Sequence, residues 1–139
     1  MASRYRHHHL TILRIFAFVL ISLTVTAIPP AHAQSTYADA DKAYQNKDYA
    51  TAHRLWLGFA EIGNRTSYFN LGRMYVFGQG VPIDVLEAYK WFKLADLAGL
   101  PQAKSGLNRV GRVMTSAEVI EGTRRVERWY DQHLRTRRK

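Results

Sequence analysis

A spacing of 36 residues constrains this chain more than any other feature. Asp48, Ala52 and Gly63 recur as Asp84, Ala88 and Gly99, and Leu71 and Arg73 recur as Leu107 and Arg109. The best-formed stretch runs Leu71-Gly72-Arg73-Met74-Tyr75-Val76-Phe77-Gly78-Gln79-Gly80-Val81, followed by Asp84, Ala88 and Trp91. A fixed period of this length marks stacked helical units, each able to bury its apolar face only against a neighbour. Chains built in that way usually bind macromolecules rather than catalyse reactions.

Local signals divide the chain into six expected helices. The first covers about Thr36–Asn46. The second runs from Asp48 to Ile62, with Leu55, Phe59 and Ile62 on one stripe, and Gly63-Asn64 ends it as a left-handed cap. The third spans about Arg65–Phe77, with Leu71, Met74 and Tyr75 inward. Gly72 falls inside it, where glycine costs about 1 kcal/mol against alanine, so close approach of a neighbouring helix is expected there. Gly78, Gly80 and Pro82 break the chain. These glycines do not make a phosphate cradle, because no strand precedes them and their spacing fits neither the Walker nor the dinucleotide pattern. Asp84 opens the fourth helix with Glu87 in capping-box spacing. Ala88, Trp91, Ala95 and Ala98 form its packing stripe, and Gly99 closes it. The fifth helix is expected over about Pro101–Val113. The sixth starts at Thr115 or Ser116, with Val119, Thr123, Val126, Tyr130 and Leu134 on one side and Glu121, Arg124, Arg125 and Arg128 on the other.

The ends differ from the middle. Arg4, Arg6 and Arg14 precede an apolar run from Ile15 to Ile28, then Pro29-Pro30 and Ala31-His32-Ala33. That is the pattern of a secretory signal peptide over residues 1–33, cleaved after Ala33. Its apolar run is shorter than the roughly 20 residues that span a bilayer, and an uncleaved anchor is the alternative. The mature domain is then 34–139, in the periplasm or outside the cell. The chain has no cysteine, so helix packing alone must hold it together. Residues 34–100 carry seven basic and seven acidic side chains, whereas residues 101–139 carry ten basic and four acidic. The last helix and the tail, with Arg124, Arg125, Arg128, Arg135, Arg137, Arg138 and Lys139, therefore offer a basic surface for anionic lipid, lipopolysaccharide or cell-wall polymer. Export argues against a nucleic-acid partner.

The string from Ser67 to Gly99 resembles a Sel-one-like repeat, a relative of the tetratricopeptide repeat. Leu71, Gly72, Tyr75, Gly78, Gly80 and Val81 match the first half of that pattern. Asp84, Ala88, Trp91, Phe92, Ala95 and Gly99 match the second. Residues 34–64 resemble a partial repeat through Asp48, Ala52, Trp56, Ala60 and Gly63. Residues 101–139 resemble another through Ala103 and Leu107, with Asn108 and Gly111 in place of the Gly and Tyr, and then a basic capping helix. The resemblance implies an all-α fold, a short right-handed α-α solenoid of about six helices. It also implies a non-catalytic adaptor or scaffold that holds a protein partner in the groove lined by the first helices of the repeats.

Residue chemistry agrees with that class. No catalytic, metal-binding or cofactor motif stands out: the mature histidines, His53 and His133, lack ligand partners at metal spacing. Asp39 and Asp41 point to different sides of a helix. Asp84 is accounted for as a cap. Arg73 and Arg109 occupy equivalent repeat positions and are expected on one face, flanked by Asn70 and Lys104. There they either grip a carboxylate-bearing segment of a partner or stand in solvent without consequence. Phe77 is either an exposed anchor for that partner or a side chain packed on the glycine loop. Tyr75 and Trp91 are expected in the core.

Overall fold

Short polar side chains set most of the helix starts, by accepting N–H groups that a first turn leaves free. The computed structural model, which describes residues 36–135, has six helices and no strand among the described residues. These are α1 Tyr37–Gln45, α2 Tyr49–Glu61, α3 Arg65–Phe77, α4 Val85–Leu97, α5 Ala103–Gly111 and α6 Ser116–His133. The Asp48 carboxylate accepts from the Thr51 N–H (3.2 Å), the Asn64 side-chain carbonyl from Ser67 (2.8 Å), and Asp84 from Leu86 and Glu87 (2.9 and 3.0 Å). Thr115 and Glu118 cap α6 reciprocally, at 3.3 and 2.7 Å. The expected signal peptide, its cleavage point after Ala33, and Arg137, Arg138 and Lys139 lie outside the described residues.

Each of α1 to α4 packs on the helix that follows it, and α6 lies against α4. The fourth helix is therefore central, and its sequence suits that position: Ala88, Tyr89, Lys90, Trp91, Phe92, Leu94 and Ala95 are all buried. Neighbouring helices approach it through glycines. The Phe92 ring lies between Gly72 of α3 and Gly106 of α5, and a Cβ on either glycine would come within 2.8 Å of that ring. On α6, Gly122 receives Tyr89 in the same way, at 2.6 Å. An aromatic ladder runs across the same elements. Tyr68 stacks on Trp91 at 5.9 Å, and Trp91 meets Trp129 edge-on at 4.6 Å, a geometry that aromatic quadrupoles favour.

The glycine loop joins the first helix pair to the second. Gly78 caps α3 in the left-handed region (φ 65°), and Gly80 (φ 73°) lies against the Tyr49 backbone, where a Cβ would come within 2.8 Å of the carbonyl carbon. The Tyr44 hydroxyl donates to Gln79 Oε1 at 2.8 Å.

Several expectations shift in register. On α2 the buried line is Ala52, Trp56 and Ala60, while Leu55 and Phe59 are half-buried and Ile62 is 58% exposed. The reason is that α2 faces α1 and α3 with its small residues and its tryptophan. On α6 the buried side is centred on Gly122 and Val126 with Trp129 beside them, leaving Tyr130 exposed. The glycine, which carries no apolar signal, marks the closest approach. Ala98 is exposed at the end of α4. The fifth helix starts at Ala103, because Pro101 and Gln102 lie in the preceding turn. Asp84 caps α4 alone, since the Glu87 carboxylate faces Lys90 and Arg125. Trp91 is buried as expected, but Tyr75 is half-buried, packed between the two apolar clusters with its ring edge against His53.

The glycine contacts make a testable series. Gly72→Ala and Gly106→Ala must displace the confined Phe92 ring, and each should destabilise the fold by about 1–3 kcal/mol. Gly58, also within a helix, has nothing within 4 Å of its Cβ position. Gly58→Ala should therefore stabilise by up to about 1 kcal/mol. Urea denaturation reads all three, and equal responses would disprove the packing account.

Candidate functional site

Two helices one period apart supply an aromatic-floored hollow on the described surface. Arg73, Val76 and Phe77 project from α3, and Gly106, Arg109 and Val110 from α5. The floor is Phe92 with Phe69, their rings 5.6 Å apart and tilted by 55°. The cavity measures about 230 Å³. It exists because Gly72 and Gly106 bring α3 and α5 close to α4 and leave no side chain over the Phe92 ring.

Arg73 and Arg109, which repeat spacing paired, line this cavity together with Phe77, which is 56% exposed. Asn70 turns away, its Nδ2 donating to the Tyr37 hydroxyl at 2.8 Å. Burial, and then the Asp41 charge, push the Tyr37 hydroxyl up to about 12. Lys104 is exposed on α5 and does not line the cavity. Tyr44 steadies Arg73, with the Arg73 Nη2 3.4 Å from its hydroxyl and the guanidinium carbon 5.7 Å from its ring centre. Among the described residues, no carboxylate lies within 4 Å of Arg73 or Arg109.

The arginines of α6 sit differently. Arg125 reaches Glu87 at 2.8 Å and both Asp84 and Glu121 at 3.6 Å. Arg128 meets Glu121 at 2.8 Å, Arg124 approaches the same residue at 3.9 Å, and Arg135 pairs with Asp131 at 3.0 Å. Lys90 joins this network through Glu87, and its ammonium sits 4.1 Å from the Trp91 ring centre. Desolvation lowers the Lys90 pKa, against the opposing pull of Glu87. Every described member of the basic surface thus has an acidic neighbour within its own fold.

Sequence reasoning missed Phe69, Gly106 and Val110 as groove residues. Gly106 was hidden by register: the 36-residue echo of Gly72 falls on Asn108, two positions further on. Among the described residues no cluster of His, Cys, Asp or Glu is suited to hold a metal ion, and no helix is long and apolar enough to cross a membrane. Comparisons with protein-family models, curated proteins and solved structures return no match, so the groove is read from its own residues.

One titration follows from the packing. His53 is half-buried against Tyr75, its Nε2 is enclosed without a hydrogen-bond partner, and desolvation lowers its pKa, with Glu87 opposing and Lys90 adding to the effect. A base whose folded pKa lies below its unfolded value, about 6.5, takes up its proton more readily in the unfolded chain. Stability should therefore be complete above that value and decline as pH falls from about 6.5 toward 5. Denaturant midpoints across this window should flatten in His53→Gln, and an unchanged slope would sink the assignment.

Proposed function

We propose that the chain is an exported, non-catalytic protein-interaction module of the Sel-one-like repeat type, which holds a segment of a protein partner in the groove between α3 and α5. One observation carries this reading: Arg73, Phe77 and Arg109 converge on a single aromatic-floored cavity whose lining residues include no carboxylate. Arginine and aromatic side chains around an apolar hollow are the composition of binding hot spots.

The short right-handed solenoid is part of the same proposal. It draws support from alternate helices that lie side by side and run the same way. Tyr37 and Tyr44 of α1 meet Asn70 and Arg73 of α3 in order. Asp84 and Glu87 meet Arg125, while Leu97 shares a hollow with Val126 and Tyr130 further along both helices. Parallel alternate helices are what stacked helix pairs produce. Ion pairing within α6 weakens the rival reading, in which the last helix and the tail grip an anionic envelope surface.

Crosslinking in the envelope fraction separates the two. A partner captured by the native chain should be lost with Arg73→Glu/Arg109→Glu, provided circular dichroism shows the fold intact. It should persist when the chain is truncated after Leu134. The opposite pattern, with steep loss in raised salt, would transfer the function to the tail. An intact mass starting at Gln34 reports the expected cleavage.

A further inference from the structure

The groove has an order along its length. On the α3 wall, Phe69 comes first, Arg73 stands one turn on, and Val76 and Phe77 follow after another turn. From Phe69 to Phe77 is about 12 Å of helix at 1.5 Å per residue. On the α5 wall, bare Gly106 lies over the Phe92 ring, and Arg109 and Val110 follow one turn later. The α3 wall therefore reads apolar, then arginine, then apolar, and the α5 wall sets Arg109 and Val110 together one turn beyond Ser105 and Gly106.

The dimensions select the kind of chain that fits. Twelve ångströms is about three to four residues of extended peptide at roughly 3.3 Å each. A hollow of about 230 Å³ exceeds the roughly 150 Å³ that admits benzene in a protein core, so a bulky apolar side chain can enter over Phe92 and Gly106. A second apolar residue can rest on the exposed Phe77 ring. Between these two positions stand two guanidiniums, each with donors to spare, and among the described residues neither has a carboxylate within 4 Å. An acidic side chain is the group that complements them, through bidentate bonds in a partly apolar setting.

We infer that the groove reads an extended peptide in which one Asp or Glu side chain stands between two bulky apolar residues. The acid belongs to the middle of the segment, not to a free C-terminus, because the α3 wall is apolar on both sides of Arg73. A chain ending at the arginines would leave one apolar half of the groove empty. This inference rests on the groove being the working surface, and it adds the order of the residues bound there.

Two random short-peptide libraries test it, one closed at both ends and one with free C-termini, each selected on the purified protein. Closed peptides with an acid flanked by bulky apolar residues should enrich. Their affinity should fall at least about tenfold with Arg73→Glu/Arg109→Glu, a loss within the range of two charge-assisted hydrogen bonds. Ser105→Trp serves as the plug: Ser105 lines the groove but is exposed, so the ring obstructs the hollow without entering the core, and affinity should fall as steeply. Circular dichroism checks that each variant folds. Enrichment confined to free C-termini overturns the inference, as does failure to enrich in either library. Peptides that lack an acid yet are blocked by Ser105→Trp overturn the inference and leave the groove reading standing. Peptides indifferent to Ser105→Trp overturn the groove reading itself.

Discussion

The confinement of Phe92 between two glycines is the contact on which the rest of the structure depends. Three helices meet at one ring because Gly72 and Gly106 bring nothing larger than hydrogen to it. A larger side chain on either neighbour would push α3 or α5 away from α4. The same ring is also the floor of the groove, so the core and the candidate binding surface share an atom set. Tyr89 and Gly122 repeat the arrangement for the last helix. The last three helices are therefore organised by aromatic rings seated on bare backbone, beside a larger apolar cluster that includes Leu71 and Leu94.

Charge is arranged by pairing, and composition alone conceals this. The excess of basic residues after position 101 suggests a cationic surface on the last helix. Asp84 and Glu87 of α4 and Glu121 of α6 instead enclose Arg125, and Glu121 also takes Arg128. Arg125 links α6 to the start of α4, while Arg128 pairs within α6. Arg73 on α3 and Arg109 on α5, by contrast, have no carboxylate within 4 Å among the described residues.

Much of the architecture was legible because it is written in short-range signals. The cap at Asp84, the starts near Asp48 and Thr115, and the breaks at Gly63, Gly78 and Gly99 place most helix ends within a residue or two. Repeat spacing also paired Arg73 with Arg109, which line one cavity. Rotation about the helix axis was not legible wherever a glycine marks the contact, since glycine contributes nothing to an apolar stripe. This explains the shift on α6, where Gly122 rather than Thr123 faces the core, and the oversight of Gly106. Asn70 was misplaced for a related reason: its partner, Tyr37, belongs to another helix, and nothing local to Asn70 announces it. The half-burial of Tyr75 likewise depends on His53, a residue 22 positions earlier.

The central place of α4 has a thermodynamic consequence. Stacked arrays ordinarily melt from their ends, because each unit touches only its neighbours. Here both C-terminal helices are seated on α4 through buried rings, so lifting α5 wets Phe92 and lifting α6 wets Tyr89. Neither helix can fray without breaking into the shared core. Unit-by-unit melting is closed to this end of the chain, and the groove persists up to the temperature at which the whole domain is lost.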